Sequence, residues 1–128
     1  MESLLALSIS LMLLTPSPVK AQNIAPTPPT SPAEQCLSES CIKSRIHYFA
    51  EKYGVSEITM NIAISCEANY NPNAIGDNGN SFGLAQIFLP AHPDITKEMA
   101  LDPDFSLDFM AKNLKERNHS MWTCLKNN

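Results

Sequence analysis

The chain is short of positive charge, of glycine and of long apolar runs. Nine Lys and Arg stand against thirteen Asp and Glu in 128 residues, a formal charge of −4. The basic residues and the three histidines are scattered. Nucleic-acid binding needs a basic patch or stripe, so no nucleic-acid partner is expected. The longest apolar run, Leu4 to Leu14, has eleven residues. A helical span needs roughly 20, so no stable membrane span is expected. No internal repeat is present, which excludes a repeat array. Of only four glycines, three (Gly76, Gly79 and Gly83) fall in one segment, which marks that segment as loop or a small irregular hairpin. What remains is enough chain for one domain with a small core.

The N-terminus has the pattern of a secretory signal peptide over residues 1–21. The apolar run is followed by Pro16 and Pro18, then by Val19-Lys20-Ala21, with small residues at −3 and −1 of a cut before Gln22. Its leading segment carries Glu2 and no Lys or Arg; the alternative is an uncleaved anchor. Residues 22–35 hold four prolines and one aliphatic residue larger than alanine. Such a stretch cannot build a core and is expected to be a semi-extended linker. The domain proper is then 36–128, and the periplasm or the cell exterior is its expected location.

Cys36, Cys41, Cys66 and Cys124 make an even set in an exported chain, so disulfides are the default. Of the three possible pairings, Cys36–Cys41 with Cys66–Cys124 is preferred. The second bridge would tie a helix to the C-terminal tail across a long loop. A zinc site on Cys36, Cys41 and His47 is the alternative, but the spacing fits no standard ligand pattern. No metal and no cofactor is expected.

Ile42, Ile46, Phe49, Ala50 and Tyr53 recur at helical spacing before Gly54, which predicts a helix over 40–53. Ser56 can cap a second helix over 57–68, with Ile58, Ile62, Ala63 and Cys66 as its apolar stripe. Asn71-Pro72 breaks it. Short helices are expected over 83–88 and 95–100. Asp102-Pro103-Asp104 has the signature of a helix start, with Phe105, Phe109, Ala111 and Leu114 expected to be buried up to about Arg117. Trp122 is expected in the core. The fold class is mainly α: a small helical domain with an irregular loop or minimal β-hairpin.

Glu67 closes the second helix. A carboxyl at the edge of an apolar helix loses water, and desolvation favours its neutral form. Such a group is suited to hand a proton to a leaving group. Ten residues on, Gly76-Asp77-Asn78-Gly79-Asn80-Ser81-Phe82-Gly83-Leu84-Ala85-Gln86-Ile87 has the polar, glycine-rich character of a groove wall. A calcium loop from Asp77 is excluded because its twelfth position is Phe88, where a glutamate is needed.

Glu67 after an apolar helix, Asn71-Pro72-Asn73-Ala74, and Ser81-Phe82-Gly83-Leu84-Ala85-Gln86-Ile87 together resemble the lytic transglycosylases of the lysozyme-like superfamily. The 76–83 segment also resembles a loop of goose-type lysozymes. The likeness covers about 55–125. It implies a lysozyme-like fold and a monomer acting on the peptidoglycan glycan strand. Glu67 would be the acid/base that cleaves the bond between N-acetylmuramic acid and N-acetylglucosamine. Ser81 and Gln86 would line sugar subsites, Tyr70 would stack on a sugar, and Gly83 would permit close backbone approach. Asp77 would match the acid that orients water in goose-type hydrolases. The chain departs from these patterns at two places. Phe88 stands where goose-type enzymes carry a further acid, and no tyrosine follows Tyr70, where many transglycosylases have a late Ala-Tyr-Asn.

Overall fold

The computed structural model describes residues 36–126. The expected signal peptide and linker lie outside the described residues.

Four α-helices and one small sheet make up this part: α1 (Glu39–Tyr53), α2 (Glu57–Ala68), β1 (Ile75–Gly76), β2 (Ser81–Phe82), β3 (Ile87–Phe88), α3 (Lys97–Leu101) and α4 (Pro103–Lys115). The strands form an antiparallel sheet in the order β1-β2-β3, pairing Ile75 with Phe82 and Phe82 with Ile87. It is a mainly helical domain with a minimal hairpin system. No helix among the described residues is long and apolar enough to cross a membrane.

The helix limits follow from local chemistry. Ser38, Ser56, Thr96 and Asp102 each accept a hydrogen bond from a backbone N–H of the first turn that follows. Pro103 stands at the first position of α4, where its missing N–H costs nothing. Gly54 ends α1 at φ 66, and its N–H returns to Ala50 and Glu51.

The core is built from Ile42, Ile46 and Phe49 of α1, Met60 and Ile64 of α2, and Leu107, Met110 and Leu114 of α4. Leu84, Ile87 and Trp122 complete it from the segments between and after the helices. Two expected stripes are corrected. Ile58, Ile62 and Cys66 are exposed, and α2 buries Met60, Ala63, Ile64 and Ala68. This helix is apolar on most of its circumference, so periodicity alone does not choose which face turns inward. In α4, Phe105 and Phe109 are only half-buried, while Ser106, Leu107 and Met110 are buried. No helix forms over 83–88. Gly83 at φ 78 and Gln86 at φ 46 interrupt it, and Ile87–Phe88 pairs as a strand.

Both disulfides join the expected partners. Cys36–Cys41 closes a five-residue separation with Cα atoms 5.5 Å apart, and Cys66–Cys124 spans 58 residues at 6.3 Å. The second fastens α2 to the short 3₁₀ turn Thr123–Leu125. On the outer surface, Asp108 holds α1 to α4. It accepts from Tyr53 at 2.6 Å and pairs with Lys112 at 2.7 Å and Lys52 at 3.3 Å. Burial pushes its carboxyl up, but the hydrogen bonds from Lys112, Tyr53 and Lys52 outweigh this and hold it below its ordinary value.

Candidate functional site

Glu67 lies in the last turn of α2, half-buried. Among the described residues, its Oε1 is the buried side-chain polar atom with no hydrogen-bond partner. Buried polar atoms are nearly always paired, and an orphan costs its desolvation without return. The helix stops abruptly after it. Asn69 at φ 49 and Tyr70 at φ 56 are both left-handed, and Pro72 forbids a resumption. The Tyr70 hydroxyl donates back to Asn61 Oδ1 at 3.1 Å, and the Lys43 ammonium sits 4.9 Å from the centre of its ring. Tyr70 therefore folds back along α2 toward α1.

Asp77 and Ser81 form a pair. Asp77 is exposed, opens a 3₁₀ turn at φ 49, and its Oδ2 accepts from the Ser81 hydroxyl. Ser81 is fully buried, so its hydroxyl serves Asp77. Gln86 works as a strut: its Nε2 donates to the carbonyls of Ala74 at 3.2 Å and Gly83 at 2.9 Å. Its Oε1 lies over Gly76, where a Cβ would collide with it.

Gly83 is the closest approach between this segment and the helices. A Cβ there would overlap the carbonyl of Ala100 at the end of α3, and φ 78 is a value that L side chains adopt with strain. Next to it, Ala85 is held at both polar atoms. Its N–H donates to the buried Ser106 hydroxyl at 2.8 Å, and its carbonyl accepts from Trp122 Nε1 at 2.8 Å.

A cleft of about 200 Å³ opens here, lined in part by Gln86, Phe88, His92, Phe109, Met121 and Trp122. Phe88 and Met121 are exposed, and His92 stands edge-on to Phe109 at 5.1 Å. Trp122 lies two residues before Cys124, whose disulfide partner Cys66 adjoins Glu67. Glu67 itself is not among the residues that line the cleft; the Cys66–Cys124 bond is the link between its helix and the Trp122 segment.

The structure therefore brings Asp77 to Ser81, and Gln86 to Gly83 and the cleft. Tyr70 turns away to Asn61. Phe88, His92, Phe109 and Met121 line this cleft, and sequence reasoning did not group them. They come from separate elements, and none carries a local signal beyond being apolar or aromatic. Among the described residues no group of three His, Cys, Asp or Glu is placed to hold a metal. No family model, curated protein or solved structure matches the chain.

Proposed function

We propose that this protein cleaves the glycan strand of peptidoglycan as a lytic transglycosylase, with Glu67 as its single acid/base. The observation that carries this reading is the buried, unpartnered Glu67 Oε1 at a helix end. A glycosidic oxygen is a fitting partner for such an atom. Glu67 gives its proton to the oxygen leaving C1 of N-acetylmuramic acid, and the C1–O bond breaks. The substrate's acetamido oxygen stabilises the resulting centre. Glu67, now a carboxylate, takes the proton of the C6 hydroxyl as that oxygen bonds to C1. The product is a 1,6-anhydro end, and Glu67 is again protonated. No second carboxylate is needed, unlike the usual two-acid scheme.

The cleft beside Gln86 supplies a sugar-sized recess. At about 200 Å³ it is below the roughly 300–1,000 Å³ of drug-sized sites and suits one ring of a longer strand. Phe88 and Met121 offer it apolar faces.

One observation favours hydrolysis as the alternative. Asp77 is an exposed carboxylate in a strained conformation, fixed by Ser81, and such strain collects at functional positions. There it could orient a water against C1, as in a lysozyme-type muramidase. An inactive glycan-binding module is the further alternative.

Digestion of purified murein separates these. Transglycosylation predicts 1,6-anhydro muropeptides, with activity falling about 10²–10⁴-fold in Glu67→Gln. The melting temperature of that variant should hold. Reducing ends alone would overturn transglycosylation in favour of hydrolysis, and Asp77→Asn would then abolish turnover. Binding without lysis would leave only the glycan-binding module.

A further inference from the structure

A second, larger cleft, of about 380 Å³, lies at the other end of α2. Its apolar part is Tyr53, Val55 and Leu114; Ser56 and Thr59 add hydroxyls, and Lys115, Arg117 and His119 add three basic side chains. We propose that this cleft binds a small organic anion, a carboxylate or phosphate on an apolar stem.

Lys43, Arg45, His47, Lys52 and Lys112 each contact a carboxylate within 4 Å. Among the described residues, Lys115, Arg117 and His119 make no ion pair. Among the described residues His92, Lys97 and Lys126 also make no ion pair; Lys115, Arg117 and His119 differ in lining one cleft together. Of the acids nearby in sequence, Glu57 pairs with His47 and Asp108 with Lys52 and Lys112, while Glu116 is not among the residues that line the cleft. Three basic groups therefore share one concavity with no described carboxylate to balance them. In a chain of net charge −4, the average surface repels anions, so attraction here would be local.

Arg117 strengthens the case. It follows the end of α4 at φ 64, with its N–H on the Leu114 carbonyl at 3.0 Å. Glycine is the favoured residue at a left-handed helix exit. An arginine kept there adds backbone strain and places a five-donor fork at the cleft, and that fork matches carboxylate and phosphate oxygens two at a time. Lys115 alone would be accounted for by the negative end of α4. That account does not extend to the left-handed backbone of Arg117.

The site is separate from the glycan-cleaving centre. Thr59 on the cleft wall and Glu67 are eight residues apart along α2, a rise of about 12 Å.

Amide chemical-shift titrations of the isotope-labelled protein test it, using inorganic phosphate, N-acetyl-L-alanine and the uncharged N-methylamide of the latter. The expected result is saturable shifts confined to 54–59 and 114–119 with one or both anions and none with the methylamide. Phosphate alone identifies a phosphate ligand, and N-acetylalanine alone a carboxylate. Arg117→Gly should weaken binding at least tenfold while melting no lower than wild type, because glycine adopts the left-handed backbone freely. Glu67→Gln should bind as wild type does, whether or not it cleaves murein. Absence of saturable shifts with both anions, equal shifts with the methylamide, or undiminished affinity in Arg117→Gly would overturn the proposal.

Discussion

Inside α1, α2 and α4 no residue has a positive φ, whereas Asn69, Tyr70, Asp77, Asn78 and Gln86 all do between the end of α2 and β3. The helices start on side-chain caps a few residues away, and much of their surface charge pairs one turn along, as in Glu39–Lys43 and Asp108–Lys112. The segment 69–88 is shaped by partners from far along the chain: the Ala100 carbonyl against Gly83, Ser106 and Trp122 on Ala85. A regular frame thus holds a strained insert, and the one orphaned carboxyl oxygen among the described residues lies where the two meet. Strain of this kind persists only where surroundings over-determine it, which is common around sites that act on a ligand.

The sharpest way to break this contrast is to remove the clamp. Gly83→Ala places a methyl group into the Ala100 carbonyl and forces alanine to a left-handed φ. Strain and overpacking together should cost about 3 kcal/mol or more. Denaturant unfolding measures it, and a cost below about 1 kcal/mol, the size of the left-handed strain alone, would show that the insert is not wedged against α3. The same change at the exposed Gly54, whose added Cβ meets nothing within 4 Å, should cost only that strain. Comparing the two separates conformation from contact.

This division also explains what the sequence made legible. The helix over 57–68 and those over 40–53 and 103–115 follow from caps and apolar spacing, because their determinants lie within a few residues. The disulfide pairing and the burial of Trp122 were equally open to inference. The inward face of α2 was not: Ile58 and Ile62 compete with Met60 and Ile64 for the core, and packing against α1 and the Thr123–Leu125 turn decides. Nor does glutamine announce a left-handed residue. Gln86 is held there by carbonyls of Ala74 and Gly83, the first twelve positions away. Within the candidate site, the place of Glu67 in the last turn of α2 and the turn at Asp77–Gly79 are local features and were readable, whereas the Ser81 hydroxyl, expected on a sugar, donates to Asp77. The cleft of Phe88, His92, Phe109 and Met121 assembles only once the chain has folded.

The frame should show its own signature in acid. Asp108 has its carboxyl held below the ordinary value of 3.8 by Lys112, Tyr53 and Lys52 against the opposing effect of burial. A carboxyl depressed in the folded state contributes stability that is present above the unfolded value and lost as pH falls through the folded one. Asp108→Asn should therefore lower stability by about 1–2 kcal/mol at pH 7. That difference should shrink as the pH drops below about 4 and vanish in stronger acid. Stability curves of the two proteins against pH measure this. Parallel curves would mean that Asp108 does not link α1 to α4 through its charge.

The smallest effect probes whether the insert's strain is dispensable. Asn78 sits at φ 54 within the 3₁₀ turn Asp77–Gly79, exposed, with no side-chain hydrogen bond among those described. Asparagine tolerates the left-handed region better than most residues, so relief by glycine is modest. Asn78→Gly should raise stability by about 0.5 kcal/mol, the left-handed gain partly offset by the greater freedom of glycine in the unfolded chain. If the turn serves only to connect β1 to β2, murein cleavage stays unchanged. If Asp77 is held at its place by a stiff turn, loosening the next residue lowers turnover while the protein becomes more stable. A gain in stability with a loss in rate would place the turn, and with it Asp77, in the working part of the molecule.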